Sequence, residues 1–304
     1  MKIDVIIPVY NRVDTLEMVL QSIAHQEIPK ESSLGVIIVN DASQENVVTV
    51  GEKYGAIVIT HKKRLGSAHA RNTGTSASNA DIVLFLGADI ILKPGAVKAH
   101  IDFHKKSAQT ALGLGFVQWD PVIIPSPFEE WMTHGGPQNN FDELLGKEKA
   151  DIKHFCFGSH ISMKRSLALQ SPFPEKYSSY GWEDLELGRS IEKIGGTLYV
   201  LHRAGGLHHH KYSVSAIKRR QLQSGAMFTV FAQRNNLSQA KSASVARKIK
   251  HKLFRYTGAY FVMVSIVRVF SKKSFPHVYQ LLTAHWFYQG VWAIKRLNKA
   301  NNSQ

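Results

Sequence analysis

At 304 residues and 44% hydrophobic content the chain is long enough to bury a sizeable core and too apolar to be disordered, so it reads as one large α/β domain with an appendage. Charge is divided sharply: residues 1–192 hold 19 Lys and Arg against all 23 Asp and Glu, a net of −4, whereas residues 193–304 hold 19 Lys and Arg and no acid, a net of +19. The single cysteine, Cys156, excludes an intramolecular disulfide, and between Phe155 and Phe157 it reads as a small buried hydrophobe.

The run Ile3-Asp4-Val5-Ile6-Ile7-Pro8-Val9-Tyr10-Asn11-Arg12 predicts a short buried strand that breaks at a proline and feeds a helix through Thr15, Leu16, Val19, Leu20 and Ile23. A second unit follows, in which the β-branched run Val36 to Val39 ends in Asn40-Asp41-Ala42-Ser43 and a helix runs from about Glu45 to Tyr54. Asp41 thus falls at the carboxyl end of a strand, where open α/β sheets place their binding crevice. A third strand, Ala56 to Thr60, leads to Arg64-Leu65-Gly66-Ser67, and a fourth, Asp81 to Leu86, ends in Gly87-Ala88-Asp89. No Gly-x-Gly-x-x-Gly follows the first strand and no Gly-x-x-x-x-Gly-Lys-Ser/Thr occurs, so neither a dinucleotide fingerprint nor a P-loop is available.

Residues 119–150, rich in Pro, Gly and Asn, read as loop with one short helix near Phe128 to Met132. Beyond them, Gly181-Trp182 precedes Glu183-Asp184 at the start of an amphipathic helix whose apolar face is Leu185, Leu187, Ile191 and Ile194 and whose stop is Gly195-Gly196. Two carboxylates in a first turn can cap the helix, since its dipole favours negative charge there, or one can act as a general base. In His208-His209-His210, strand alternation would send His208 and His210 to one face, as metal ligands or phosphate contacts, and leave His209 in a solvated basic loop. The remaining histidines are scattered.

The basic tail needs an anionic partner. No zinc-finger, RNA-recognition or basic-zipper pattern supports nucleic acid. Tyr256 to Val267 is apolar nearly all round but far shorter than the ~20 residues that span a bilayer. Ser274 to Ile294 is longer yet carries Pro276, His277, Gln280, His285 and Gln289, with Trp286, Phe287, Tyr288 and Trp292 close to Lys295 and Arg296. This pattern predicts that residues 241–304 lie on an anionic membrane surface; the alternative is a helical appendage packed on the rest of the chain or on a second subunit as a homo-oligomer. No secretion signal is seen at the N-terminus, so a cytoplasmic site, peripheral on the inner face of the membrane, is expected.

Several pieces fall in the order of one family: Ile7-Pro8-Val9-Tyr10-Asn11-Arg12, Val39-Asn40-Asp41-Ala42-Ser43, Gly66 with Ala70-Arg71-Asn72-Thr73-Gly74, Phe85-Leu86-Gly87-Ala88-Asp89, Gly158-Ser159-His160-Ile161-Ser162-Met163-Lys164-Arg165, Gly181-Trp182-Glu183-Asp184-Leu185-Glu186-Leu187 and His208-His209-His210. The chain resembles a family 2 glycosyltransferase of the GT-A, or nucleotide-diphosphosugar transferase, fold over about residues 3–225. The resemblance implies a Rossmann-like mixed, mostly parallel sheet flanked by helices, with a nucleotide-sugar half over 1–118, an acceptor half over 119–240 and the basic helical tail over 241–304.

It also implies roles. Pro8, Tyr10 and Arg12 would pack on the nucleotide base and ribose, Asp41 would hydrogen-bond the base, and Arg71 would sit near the diphosphate. Ala88 and Asp89 match the family's Asp-x-Asp motif, with Asp89 holding Mn²⁺ or Mg²⁺ together with His208 and His210. Asp184, beside Glu183, would take the proton from the acceptor hydroxyl, and Trp119, His160 and Trp182 would shape the acceptor site. The expected reaction is an inverting, metal-assisted transfer of a sugar from a nucleotide diphosphate to a hydroxyl of a glycan or lipid-linked glycan. Two departures, Asn40-Asp41 for two acids and Gly87-Ala88-Asp89 for Asp-Ala-Asp, keep open a catalytically weakened member that binds a sugar nucleotide within an assembly. A basic nucleic-acid-binding protein is the alternative from another class.

Overall fold

The computed structural model describes residues 1–133, 140–177, 179–237, 258–269 and 274–301. The chain forms two compact units, the first from residues 1–123, 141–176 and 183–210, the second from residues 124–140, 177–182 and 211–304.

The first unit is built on one sheet. Strands β1 (Lys2–Val9), β2 (Ser33–Asn40) and β3 (Ile57–Thr60) are parallel neighbours, and β4 (Ile82–Leu86) flanks β1 on its other side, also parallel. The crossovers pass through α1 (Val13–Ala24), α2 (Val47–Lys53) and α3 (Ser67–Ala77). These strands are continuous runs of Ile, Val and Leu because helices cover the sheet, and each fully buried side chain of that size contributes about 1.5–3 kcal/mol. Past β4 the sheet becomes mixed. Strand β8 (His160–Lys164) lies antiparallel between β4 and β6 (Ala111–Trp119), and β9 (Thr197–His208) runs parallel to β6 while pairing antiparallel with β5 (Ile90–Leu92) and β7 (Lys149–Ala150).

The sequence pattern marks no strand over β6 or β8, and within β9 Ala204 to Leu207 reads as a turn or short strand. Tertiary contacts require the glycines of these strands: a β-carbon at Gly115 would lie 2.3 Å from the His160 ring, and one at Gly206 2.8 Å from Ile90 Cγ2. The helix after Trp182, α8 (Glu183–Glu192), starts where expected but buries Glu183, Glu186, Leu187 and Ile191, while Ile194 is exposed. The expected apolar face is therefore rotated, and Glu183 goes inside.

The second unit is helical, with α5 (Pro127–Thr133), α9 (Val214–Arg234), α10 (Ala259–Val269) and α11 (Pro276–Asn301). Here α9 and α11 meet backbone to backbone: a β-carbon at Gly225 would stand 1.8 Å from the Phe287 carbonyl oxygen, and one at Gly290 1.9 Å from that of Leu222. Tyr279, Leu282, Trp286 and Val291 of α11 are buried, and Phe128 of α5 stacks on Tyr279 with centroids 4.6 Å apart. Of the aromatic cluster expected at a headgroup interface, Trp286 thus belongs to this unit's core, while Phe287, Tyr288 and Trp292 are half-buried. Among the described residues no helix is long and apolar enough to cross a membrane. Arg255, Tyr256 and Thr257, at the head of the first apolar stretch, lie outside the described residues, as do Gly135, Gly136 and Pro137 of the long loop.

Candidate active site

The carboxyl ends of β1 and β2 are tied together by side chains. Asn11, in a left-handed conformation with φ 50°, donates its amide to Ser43 Oγ at 3.0 Å and accepts from Gln44 N at 2.9 Å. Asp41 accepts from the amides of Leu65 and Gly66 at 2.8 and 2.7 Å and from His61 Nδ1 at 2.9 Å, so its buried carboxylate pins the loop that opens α3. His61 Nε2 continues the chain to Thr73 Oγ1 at 3.0 Å. Tyr10, 38% exposed, carries the Arg64 guanidinium 4.0 Å above its ring, a planar cation on a planar ring beside half-buried Pro8.

The turn between β4 and β5 presents Asp89, with Ala88 buried behind it. Asp89 Oδ2 lies 3.3 Å from Arg12 Nη1 and 3.5 Å from His208 Nε2. Arg12 Nη1 also donates to His210 Nδ1 at 2.6 Å, and the rings of His208 and His210 stack 5.9 Å apart, as strand alternation predicts. Burial alone would raise the Asp89 pKa, but His208, Arg12 and His210 outweigh it and hold the carboxyl well below its ordinary range. His209 is not solvated loop: its amide donates to the Asp89 carbonyl at 2.8 Å and its ring pairs with buried Asp120 at 2.7 Å. Trp119 sets its edge against His208, with centroids 5.1 Å apart.

These residues fit a divalent cation only in a limited way. Asp89 and His208 converge on one point with the carboxyl ionised, whereas His210 is engaged by Arg12. Among the described residues no three His, Cys, Asp or Glu form a cage. Such a donor set suits an ion that brings its own phosphate ligands, the usual manner of Mg²⁺ and its relatives.

The second cluster forms around Arg71, buried on α3. Its Nη1 lies 3.2 Å from Asp184 Oδ1 and 3.5 Å from Glu183 Oε1, its guanidinium sits 4.9 Å over the Phe173 ring, and Ser67 Oγ donates to Glu183 Oε1 at 2.9 Å. Asp184 Oδ2 accepts the Gly158 amide at 2.8 Å. Burial pushes the Asp184 carboxyl up to about 6; Arg71 pulls it down, Glu183 pushes it further up, and the Gly158 amide opposes. Gly158 is required here, since a β-carbon would fall 2.6 Å from Asp184 Oδ1 and 2.9 Å from Arg71 Cζ. The next residue joins the two clusters: Ser159 O accepts the amide of Gly87 at 2.8 Å, two residues before Asp89.

The sequence profile described as glycosyl transferase family 2 matches residues 4–169, more than half of the chain. The chain belongs to glycosyl transferase family 2. Among its relatives, the uncharacterized glycosyltransferase YwdF of Bacillus subtilis is 37% identical over 134 residues, 43% of this chain and 45% of YwdF. Glycosyltransferase AglE of Haloferax volcanii is 30% identical over 216 residues, 68% of this chain and 66% of AglE. The matches therefore span between about half and two thirds of those relatives. The mannosyltransferase PcManGT of Pyrobaculum calidifontis, solved with GDP-Man and Mn²⁺, superposes with a TM-score of 0.62 at 15% identity over 97% of this chain and 86% of its own, which shows a shared GT-A fold.

In this family member one of the residues expected around an acceptor is sealed in the core. His160 is fully buried, its Nε2 3.2 Å from His100 Nε2; with His104 and Ser162 it forms an interior cluster in which desolvation lowers His160 to about 3 and His104 to about 4. It is a core residue, fitted against Gly115 and Gly206, and touches no acceptor. Trp182 belongs to the second unit, where its indole N–H donates to Ser224 O at 2.8 Å and its ring packs on Phe228 and Phe231. The sequence reading missed His61, Arg64, Ser67, Asp120 and Gly158. Gly158 stands in the run Gly158 to Arg165, and Arg64 and Ser67 in the run that follows the third strand, whereas His61 and Asp120 stand in neither.

Proposed function

We propose that the protein transfers a sugar from a nucleoside diphosphate to a hydroxyl by a single in-line displacement with inversion at the anomeric carbon, Asp184 serving as general base. The observation that carries this reading is the opposite tuning of two linked acids: Asp89 held ionised by Arg12, His208 and His210, Asp184 raised to about 6 by burial. A base with a pKa near the working pH is best placed to take a proton in the transition state. In the reaction the acceptor O–H proton passes to Asp184, the oxygen bonds to the anomeric carbon, and the bond to the diphosphate oxygen breaks with its electron pair. Nothing in this scheme requires a covalent intermediate.

The donor's base would lie near Tyr10 and Arg64, where an exposed aromatic face and a guanidinium plane are both offered, while Asp41 holds the loop beneath. Asp89 and His208 would hold Mn²⁺ or Mg²⁺ against the diphosphate, with Arg12 adding positive charge. When bound, such a cation neutralises charge building on the leaving group. The solved complex of PcManGT with GDP-Man and Mn²⁺ supports a nucleotide-sugar donor and a divalent ion. A thermal-shift panel of UDP, GDP and their sugars with and without Mn²⁺, followed by product NMR, tests the reading. Stabilisation by one nucleotide series that depends on the metal is expected, with the opposite anomer in the product; retention of configuration would refute the single displacement.

For the acceptor, a glycan or lipid-linked glycan at an anionic membrane surface remains our reading. It is supported by the acid-free, basic sequence after residue 192 and by Phe261 and Val262 of α10, which are 68% and 59% exposed, rather than by the buried aromatics of α11. Flotation with anionic liposomes should retain the protein at low salt and lose it in the double variant Phe261→Asp, Val262→Asp; absence of binding by the wild type would exclude this location.

A further inference from the structure

A cavity of about 200 Å³ opens within the second unit, many times the ~15 Å³ that admits one water. Tyr180, Trp182, Arg220, Gln221, Ser224 and Phe287 are among the residues that line it. Its chemistry is divided, aromatic faces on Trp182 and Phe287 against a polar wall of Gln221, Ser224 and Arg220.

Arg220 sets the character of that wall. Its guanidinium lies over the rings of Tyr180 and Tyr212, 4.2 and 4.7 Å from their centroids, and donates to both hydroxyls. Those contacts fix its plane without neutralising it, and no carboxylate pairs with it among the described residues. The chain beyond residue 192 has no acid to offer. Glu129, in the same unit, gives its carboxylate to the amides of Ser126 and Tyr212. A guanidinium carries five N–H donors in a planar fork that matches phosphate, and a half-buried one without a counterion favours an anion.

The backbone adds a second observation. Gly181 and Trp182 are both left-handed, with φ 102° and 79°. For tryptophan that conformation costs about 1–3 kcal/mol, and strain of this kind concentrates at ligand sites. It is held here by the indole N–H on Ser224.

We infer that this cavity receives a phosphate-bearing sugar or polyol, the phosphate on Arg220 and the apolar ring face on Trp182. The binding does not depend on the transferase reading above.

The test is calorimetric titration of the full chain, without donor, using glucose 6-phosphate, glucose and inorganic phosphate. Glucose 6-phosphate should bind at least about tenfold more tightly than either of the others, because a bidentate anion contact and a stacked ring act together. Arg220→Gln should abolish that preference while leaving thermal stabilisation by nucleoside diphosphate with Mn²⁺ as in the wild type. Ser224→Asp, which sets an acid in the same wall, should do likewise and covers the case in which Arg220→Gln fails to fold. Equal binding of glucose and glucose 6-phosphate, equal binding of inorganic phosphate alone, or a preference that survives both substitutions would overturn the inference. A sugar phosphate bound through Arg220 by a chain that no nucleoside diphosphate stabilises would sustain the cavity's assignment while removing the transferase reading.

Discussion

Asp89 and Asp184 are the same side chain in two neighbouring turns of one sheet unit, yet their proton affinities diverge. Asp89 stands beside Arg12, His208 and His210, whose interactions with it outweigh its desolvation and keep it ionised. Asp184 has one cation, Arg71, which it shares with Glu183, so burial prevails and the carboxyl rises to about 6. Whether the cation is shared decides the outcome. A sole carboxylate beside its arginine becomes an anchor for positive charge, and a carboxylate that divides its cation with another acid becomes a base.

The comparison breaks most visibly at Asp184. Replacement by Asn keeps the shape and removes the proton acceptor, so turnover should fall about 10²–10⁴-fold while nucleotide binding persists. Near-wild-type turnover in Asp184→Asn, measured by product release, would move the base elsewhere. At the other acid, Asp89→Ala should abolish metal dependence and weaken donor affinity about tenfold or more, because no second carboxylate stands in that turn. Undiminished wild-type activity in excess chelator would refute the anchor role.

The sharing of Arg71 makes a prediction with a sign. Asp184 must be ionised to work, so the rate should fall as pH drops through about 6. Arg71 lowers that value and Glu183 raises it. Arg71→Gln should therefore shift the acid limb of the pH–rate profile upward, and Glu183→Gln should shift it downward, at a smaller loss of rate than Asp184→Asn. Limbs that do not move, or that move together, would show that a different group titrates. The smallest effect belongs to Gly87→Asp, which restores the second acid of the metal turn. Its β-carbon would stand 3.0 Å from Asp89 Oδ1 and 3.1 Å from Ile90 Cγ1, so Asp89 must yield a few tenths of an ångström. Mn²⁺ affinity should tighten only severalfold, read by titrating activity against free metal.

The parallel half of the fold was legible because fully covered strands read as unbroken aliphatic runs, and β1, β2, β3 and β4 fall within about three residues of their predicted bounds. The antiparallel half was not. Gly113, Gly115, Gly205 and Gly206 look like turn residues until Leu201, His160, Lys93 and Ile90 are seen filling the space where their side chains would be. Site residues divide in the same way. Asp89, Asp184 and the pair His208 and His210 announce themselves by motif and alternation, whereas Ser67 and Asp120 have no local signal and acquire a role only through partners distant in the chain.

By itself the sequence determined the alternation of strand and helix, the acids at two turns, and a basic C-terminal third without a counter-charge. Local pattern records those, since periodicity, capping and charge depend on neighbours a few residues apart. The tertiary structure decided which face of α8 is buried, that Glu183 and Asp184 divide one arginine, that His160 belongs to the core, and that Tyr279, Trp286 and Phe287 of α11 pack on α5 and α9. Each of these depends on which groups meet across long stretches of chain. Desolvation and pairing, the forces that set a proton's affinity or a ring's place, exist only once those groups have met.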